Sequence, residues 1–107
     1  MIKITIYQNR NQQFVGFDCL GHAEYADEND VVCAGTSALV INCINSIESL
    51  TGDSFSCDIN EENGMINFRL EEKLGNDTQL LLKSLVLGLQ EMERNYDAYI
   101  DVIFEEV

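Results

Sequence analysis

The chain has 107 residues, 46% of them hydrophobic, and carries 19 acidic against 6 basic side chains for a net charge of −13. That length closes one hydrophobic core and leaves no room for a second ordinary domain, so residues 1–107 read as a single domain. So negative a surface excludes nucleic acid as an ordinary partner and makes a basic protein or peptide the natural complement, although the same acids serve equally well to keep the surface solvated.

Ile2, Ile4 and Ile6 alternate with Lys3, Thr5 and Tyr7, which predicts an opening strand buried on one face and lacks the apolar block of a signal peptide. Asn9 to Gln12 read as a hairpin turn, and Val15, Phe17 and Cys19 repeat the alternation until Gly21 takes the chain out of the sheet. The following loop, through Asn29, has no large aliphatic anchor and is expected to be mobile. Asp30 suits a helix N-cap, and behind it Ala34, Ala38, Ile41, Cys43 or Ile44, Ile47 and Leu50 recur at helical spacing as far as Thr51-Gly52. Phe55, Cys57 and Ile59, the turn Glu61 to Gly64, and Ile66, Phe68 and Leu70 predict a second hairpin. Asn76-Asp77-Thr78 caps a second helix with the stripe Leu82, Leu85, Leu89, Met92 and Tyr96, and Ile100, Val102 and Phe104 form a last strand.

The order is ββαββαβ. Because every strand alternates, the fold expected is α+β: a two-layer sandwich with a mainly antiparallel sheet and two helices on one face. Asn42, Asn45 and Ser46 in one helix and Lys83 and Ser84 in the other interrupt the apolar runs short of a membrane span, so a soluble protein with no membrane partner is expected. Leu80, Leu81 and Leu87 fall outside the second helix's stripe, which fits either a homodimer face or a wider core contact. Cys19, Cys33, Cys43 and Cys57 form no CxxC pair. They suit reduced cysteines in the cytoplasm, and with a single histidine they lack the spacing of a metal site; neither metal nor cofactor is expected.

One constellation could carry chemistry. With Asp30 as cap, Cys33 falls in the first helical turn, where unpaired amides and the helix dipole favour a thiolate. The amides of Cys33, Ala34 and Gly35 could donate to an oxyanion, and His22, at the mouth of the same loop, could take the thiol proton. The plainer alternative is an inert cysteine and an exposed loop histidine. Cys19, Cys43 and Cys57 sit at apolar positions and read as small hydrophobes.

The run Gly21-His22-Ala23, a short polar loop, Asp30-Val31-Val32-Cys33-Ala34-Gly35 and the hydroxyl of Ser37 closely resembles the bacterial ribosomal-processing cysteine protease family, Prp. The element order and the Asn-containing apolar helix from Leu39 to Leu50 extend the resemblance over essentially the whole chain. It implies a cysteine endopeptidase, a hydrolase of ribosome biogenesis, that removes the N-terminal extension of basic large-subunit ribosomal protein twenty-seven by cutting after a hydrophobic residue. It further implies Cys33 as nucleophile, His22 as general base, supporting or substrate-binding roles for Gly21, Asp30, Ala34 and Ser37, and a homodimer. The loop here is slightly shorter than the common form, with Glu28-Asn29 where a glycine is usual. Two other functions compete: a non-catalytic acidic module that escorts a basic ribosomal protein, and a redox sensor, which would need a resolving cysteine that is not close in sequence.

Overall fold

In the computed structural model, which describes residues 1–107, the alternating and helical patterns resolve into β1 (Ile2–Gln8), β2 (Phe14–Leu20), α1 (Val31–Leu50), β3 (Phe55–Asn60), β4 (Met65–Leu70), α2 (Asn76–Asn95) and β5 (Ile100–Glu106), the ββαββαβ order expected. The five strands form one sheet in the order β3-β4-β2-β1-β5. Three of the pairings are antiparallel, and β5 lies parallel to β1, with Ile2 opposite Ile100 and Ile4 opposite Val102. The sheet is therefore mixed, mainly antiparallel. Ile4, Ile6, Phe17 and Phe68 point from it into a core shared with Val40 and Ile47 of α1 and Leu85 and Leu89 of α2. On the opposite face Tyr7 donates to Asp18 at 2.6 Å, Arg69 bridges Asp18 at 2.9 Å, and its guanidinium lies 4.4 Å above the Tyr7 ring, joining β1, β2 and β4.

Four local expectations are corrected. Val15 is only half-buried and Phe14 enters the core instead, because an irregularity opposite Tyr7 and Gln8 shifts the register and turns the start of β2 over. The buried stripe of α1 is Val32, Thr36, Val40, Cys43, Ile44 and Ile47, while Ala34, Ala38, Ile41 and Leu50 are exposed. Rotating the helix this way buries Val32 and Val40 in place of two alanines, and so removes more apolar area from water. By length and composition α1 also reaches the size of a membrane span, with mean hydropathy 1.4, contrary to the expectation that no segment does; here it lays one face on the sheet.

The fourth correction is the start of α2. No Asn76, Asp77 or Thr78 side chain caps it; Gly75 is the N-cap residue. The Gly75 amide donates instead to the carboxylate of Asp53, in the α1–β3 connection, at 2.8 Å, and Lys73 lies 3.9 Å from the same group. The Thr78 hydroxyl, which outweighs the burial that opposes charge, and then the Gly75 amide and Lys73 hold the Asp53 carboxyl below the usual carboxylate range. For Asp18 burial opposes the charge, but bonds from Arg69 and Tyr7 prevail and its carboxyl is lowered too. A carboxyl depressed on folding contributes stability above its unfolded value and loses it as pH falls through the folded one. Thermal melts should therefore show stability declining below about pH 4, with a smaller acid loss in Asp53→Asn. An acid profile identical to wild type in that variant would remove Asp53 from the account.

Candidate active site

Asp30 is the N-cap of α1, as expected, and binds on two sides. Its Oδ1 accepts from the amides of Val32 and Cys33 at 2.9 and 3.1 Å, and its Oδ2 from those of Tyr25 and Ala26 at 2.9 and 3.2 Å. Burial works against the charged form, but the amides of Cys33, Ala26, Tyr25 and Val32 overcome it and keep the Asp30 carboxyl below the usual range. One side chain thus fixes both the helix start and the loop before it.

The loop is better anchored than its composition suggested. Tyr25 packs edge-to-face on Tyr96 and Tyr99, with ring centroids 5.6 and 5.0 Å away, and Ala23 is buried. The expectation of mobility rested on the absence of aliphatic anchors; the anchors are aromatic and polar. Asn29, of the Glu28-Asn29 pair before the cap, takes φ 54°, a left-handed conformation that asparagine tolerates better than most residues.

Cys33 is half-buried in the first turn of α1, and the Ala23 amide donates to its Sγ at 3.3 Å. The expected set of oxyanion donors is not free, however. The Cys33 amide is engaged by Asp30 Oδ1, and the Ala34 amide donates to the Asp30 carbonyl at 2.9 Å. A good cap and an open amide cradle compete for the same N–H groups, and here the cap prevails.

A cavity of about 330 Å³ lies between α1 and the turn end of the β3–β4 hairpin. Gly21, His22, Cys33 and Ser37 line it, bringing four of the expected residues together. Asp30 and Ala34 do not; Asp30 acts from behind as the cap, and the exposed Ala34 side chain belongs to the outer face of α1. The walls are apolar, from Ile2, Val40, Ile41, Ile59, Met65 and Ile66. An extended peptide with an apolar side chain fits such a lining.

His22, two residues beyond β2, bonds not to Cys33 but to the β3–β4 turn, its Nε2 lying 3.1 Å from the Glu62 carbonyl oxygen. The sequence reading placed that turn but missed its bond to His22. It also missed Thr36, which lines the cavity one turn after Cys33, is 2% exposed and has a hydroxyl without a protein partner; the spacing of three from Cys33 was the available signal. Cys19 reaches the same cavity from β2. Burial pushes the thiols of Cys19 and Cys43 up to about 11, and burial followed by Asp58 pushes Cys57 up as well. Nowhere do three His, Cys, Asp or Glu side chains gather to hold a metal ion.

Comparison with known proteins fits this geometry. The family of cysteine protease Prp matches residues 1–101. The chain is 33% identical over 101 residues to the ribosomal processing cysteine protease Prp of Bacillus subtilis, covering 90% of each chain, and 28% identical over 98 residues to that of Staphylococcus aureus, covering 91% of this chain and 92% of the relative. The crystal structure of the essential ribosomal processing protease Prp from S. aureus with a covalently linked product peptide superposes with TM-score 0.93 at 26% identity, over 98% of this chain and all of that one. The same protease in complex with a substrate peptide gives 0.89 at 25% identity, with the same coverage.

Proposed function

The chain belongs to the Prp family of cysteine proteases, and from that premise we propose that it removes the N-terminal extension of large-subunit ribosomal protein twenty-seven, with Cys33 as nucleophile and His22 as general base. The observation that carries the reading is the shared cavity: a thiol from a helix start and an imidazole from a strand end line one apolar cleft of peptide dimensions. In that arrangement the Cys33 sulfur attacks the scissile carbonyl as His22 takes its proton, and the imidazolium then protonates the leaving amine. The apolar walls take the side chain before the cut. Asp30 and Gly21 act as supports, holding the cysteine turn and the histidine strand end, and Ser37 lies where it can touch the peptide.

The same reading makes the enzyme a cytoplasmic homodimer acting as a single domain. Four free cysteines fit a reducing compartment, and Leu80 and Leu87, 66% and 70% exposed on α2, supply apolar surface for a second copy.

The test is incubation with ribosomal protein twenty-seven carrying its extension, its N-terminus followed by mass spectrometry. Loss of the extension is expected, and Asp in place of the apolar residue before the cut should abolish it. The net charge of −13 adds a second expectation. Raising salt from ~0.05 to ~0.5 M should weaken capture of the full basic protein by screening long-range attraction, while turnover of a short neutral peptide with the same cleavage sequence changes little. Capture without any cleavage would favour the acidic-escort function instead.

A further inference from the structure

We infer that the β3–β4 turn is a positioning element of the active site, its Glu62 carbonyl holding the His22 imidazole in the tautomer that carries hydrogen on Nε2 and leaves Nδ1 as the nitrogen that accepts the thiol proton. The inference deepens the reading of His22 as general base and rests on it. A carbonyl oxygen only accepts hydrogen bonds, so a bond at 3.1 Å between it and Nε2 requires the hydrogen on Nε2. A neutral imidazole has one other nitrogen, and that nitrogen keeps its lone pair.

The turn is built to hold that carbonyl still. The Glu62 amide donates to Asn60 Oδ1 at 3.0 Å, and the Met65 amide to Asn63 Oδ1 at 3.1 Å. The Gly21 amide, one residue before the histidine, donates to the Asn63 carbonyl at 3.0 Å. Gly64, at φ 64°, brings the two segments together backbone to backbone. A Cβ there would drive into the Gly21 carbonyl and stand 3.3 Å from His22 Cε1. Both the bond and the contact come from a turn remote in sequence, and both act on the same ring.

The proton sequence then closes. The Cys33 S–H proton passes to Nδ1 as the sulfur–carbon bond forms, and moves from Nδ1 to the amine nitrogen as the peptide C–N bond breaks. Water next displaces the sulfur from the acyl group, and the thiol regains a proton. The Nε2–H bond to Glu62 is kept throughout, and strengthens while the ring is an imidazolium, because a charged donor bonds more strongly.

His22 is the only histidine, so nitrogen-15 labelling gives a single imidazole to observe. Nitrogen NMR of the free protein above the usual imidazole range, near pH 8, is expected to show Nε2 protonated and Nδ1 bare. In Gly64→Ala the tautomer preference should weaken and kcat/KM should fall at least about tenfold, the low end of the loss seen when a group that fixes the tautomer of a metal-bound histidine is removed. Should Gly64→Ala fail to fold, Asn63→Ala, which loosens the turn but keeps the glycine, should shift the tautomer in the same direction. A resting spectrum dominated by hydrogen on Nδ1 would overturn the inference, and so would a folded Gly64→Ala enzyme with wild-type tautomer and activity. The tautomer is read without substrate, so failure to cut the ribosomal protein would overturn the substrate reading and leave the tautomer result intact.

Discussion

Cys33→Ser should fold normally and cleave at least about 10³-fold more slowly than the wild-type chain, an effect on the scale of losing a hydrolase nucleophile. The substitution is nearly isosteric, and the Ala23 amide that donates to Sγ at 3.3 Å finds an oxygen in its place, so the site is not disrupted. What changes is the chemistry, because an alcohol surrenders its proton far less readily than a thiol. Circular dichroism and melting should overlay while peptide turnover collapses. Alkylation by iodoacetamide under native conditions gives a second view. Cys19 and Cys43, pushed up to about 11 by burial, should label more slowly than Cys33. Faster labelling of Cys43 than of Cys33 would remove Cys33 as the reactive residue.

The largest loss of stability is expected from Phe68→Ala. Phe68 is 0% exposed in β4, its ring 5.0 Å from Phe17 in a stacked arrangement and 4.9 Å from Phe55. It therefore ties β2, β3 and β4 together, including the hairpin whose turn meets His22. Truncation leaves a cavity that two aromatic neighbours cannot collapse around, at a cost of about 3–5 kcal/mol. Against a total of roughly 5–15 kcal/mol for a chain of this kind, urea titration should show the midpoint fall by about a fifth or more. Ile103→Ala, at a β5 position 49% exposed on the open face, should barely move it. Similar midpoints for the two variants would show that the aromatic cluster is not the centre of the core.

What could be read from the sequence was what depends on near neighbours. Ile2, Ile4 and Ile6 declared β1 because alternation is a local pattern, and Asp30 declared the start of α1 because all its bonds, to Tyr25, Ala26, Val32 and Cys33, lie within five residues of it. The stripe of α1 was misread because Val31, Val32, Ala34, Ala38, Leu39, Val40 and Ile41 place apolar side chains on nearly every side of the helix. Periodicity then cannot choose a face, and side-chain volume against the sheet decides. The start of α2 at Gly75 is held by Asp53 from another connection, and the register of β2 is set by its partner β1; both are tertiary facts. Within the site the pattern divides in the same way. Cys33 and its cap were legible, whereas the setting of His22 depends on a carbonyl 40 residues further on.

The parallel pairing of β5 with β1 also bears on what keeps the cleft in shape. Ile2 forms part of the cavity wall, its amide donates to the Tyr99 carbonyl at 2.9 Å, and it sits in register with Ile100. The first strand is thus held in place by a strand far along the chain, and a contact so distant in sequence closes a long loop whose entropy opposes it. With β5 undocked, Cys33 and His22 would keep their places in sequence but the cleft would lose the strand that braces its wall at Ile2. The shape of the cleft is in this way tied to a strand that contributes no residue to its lining.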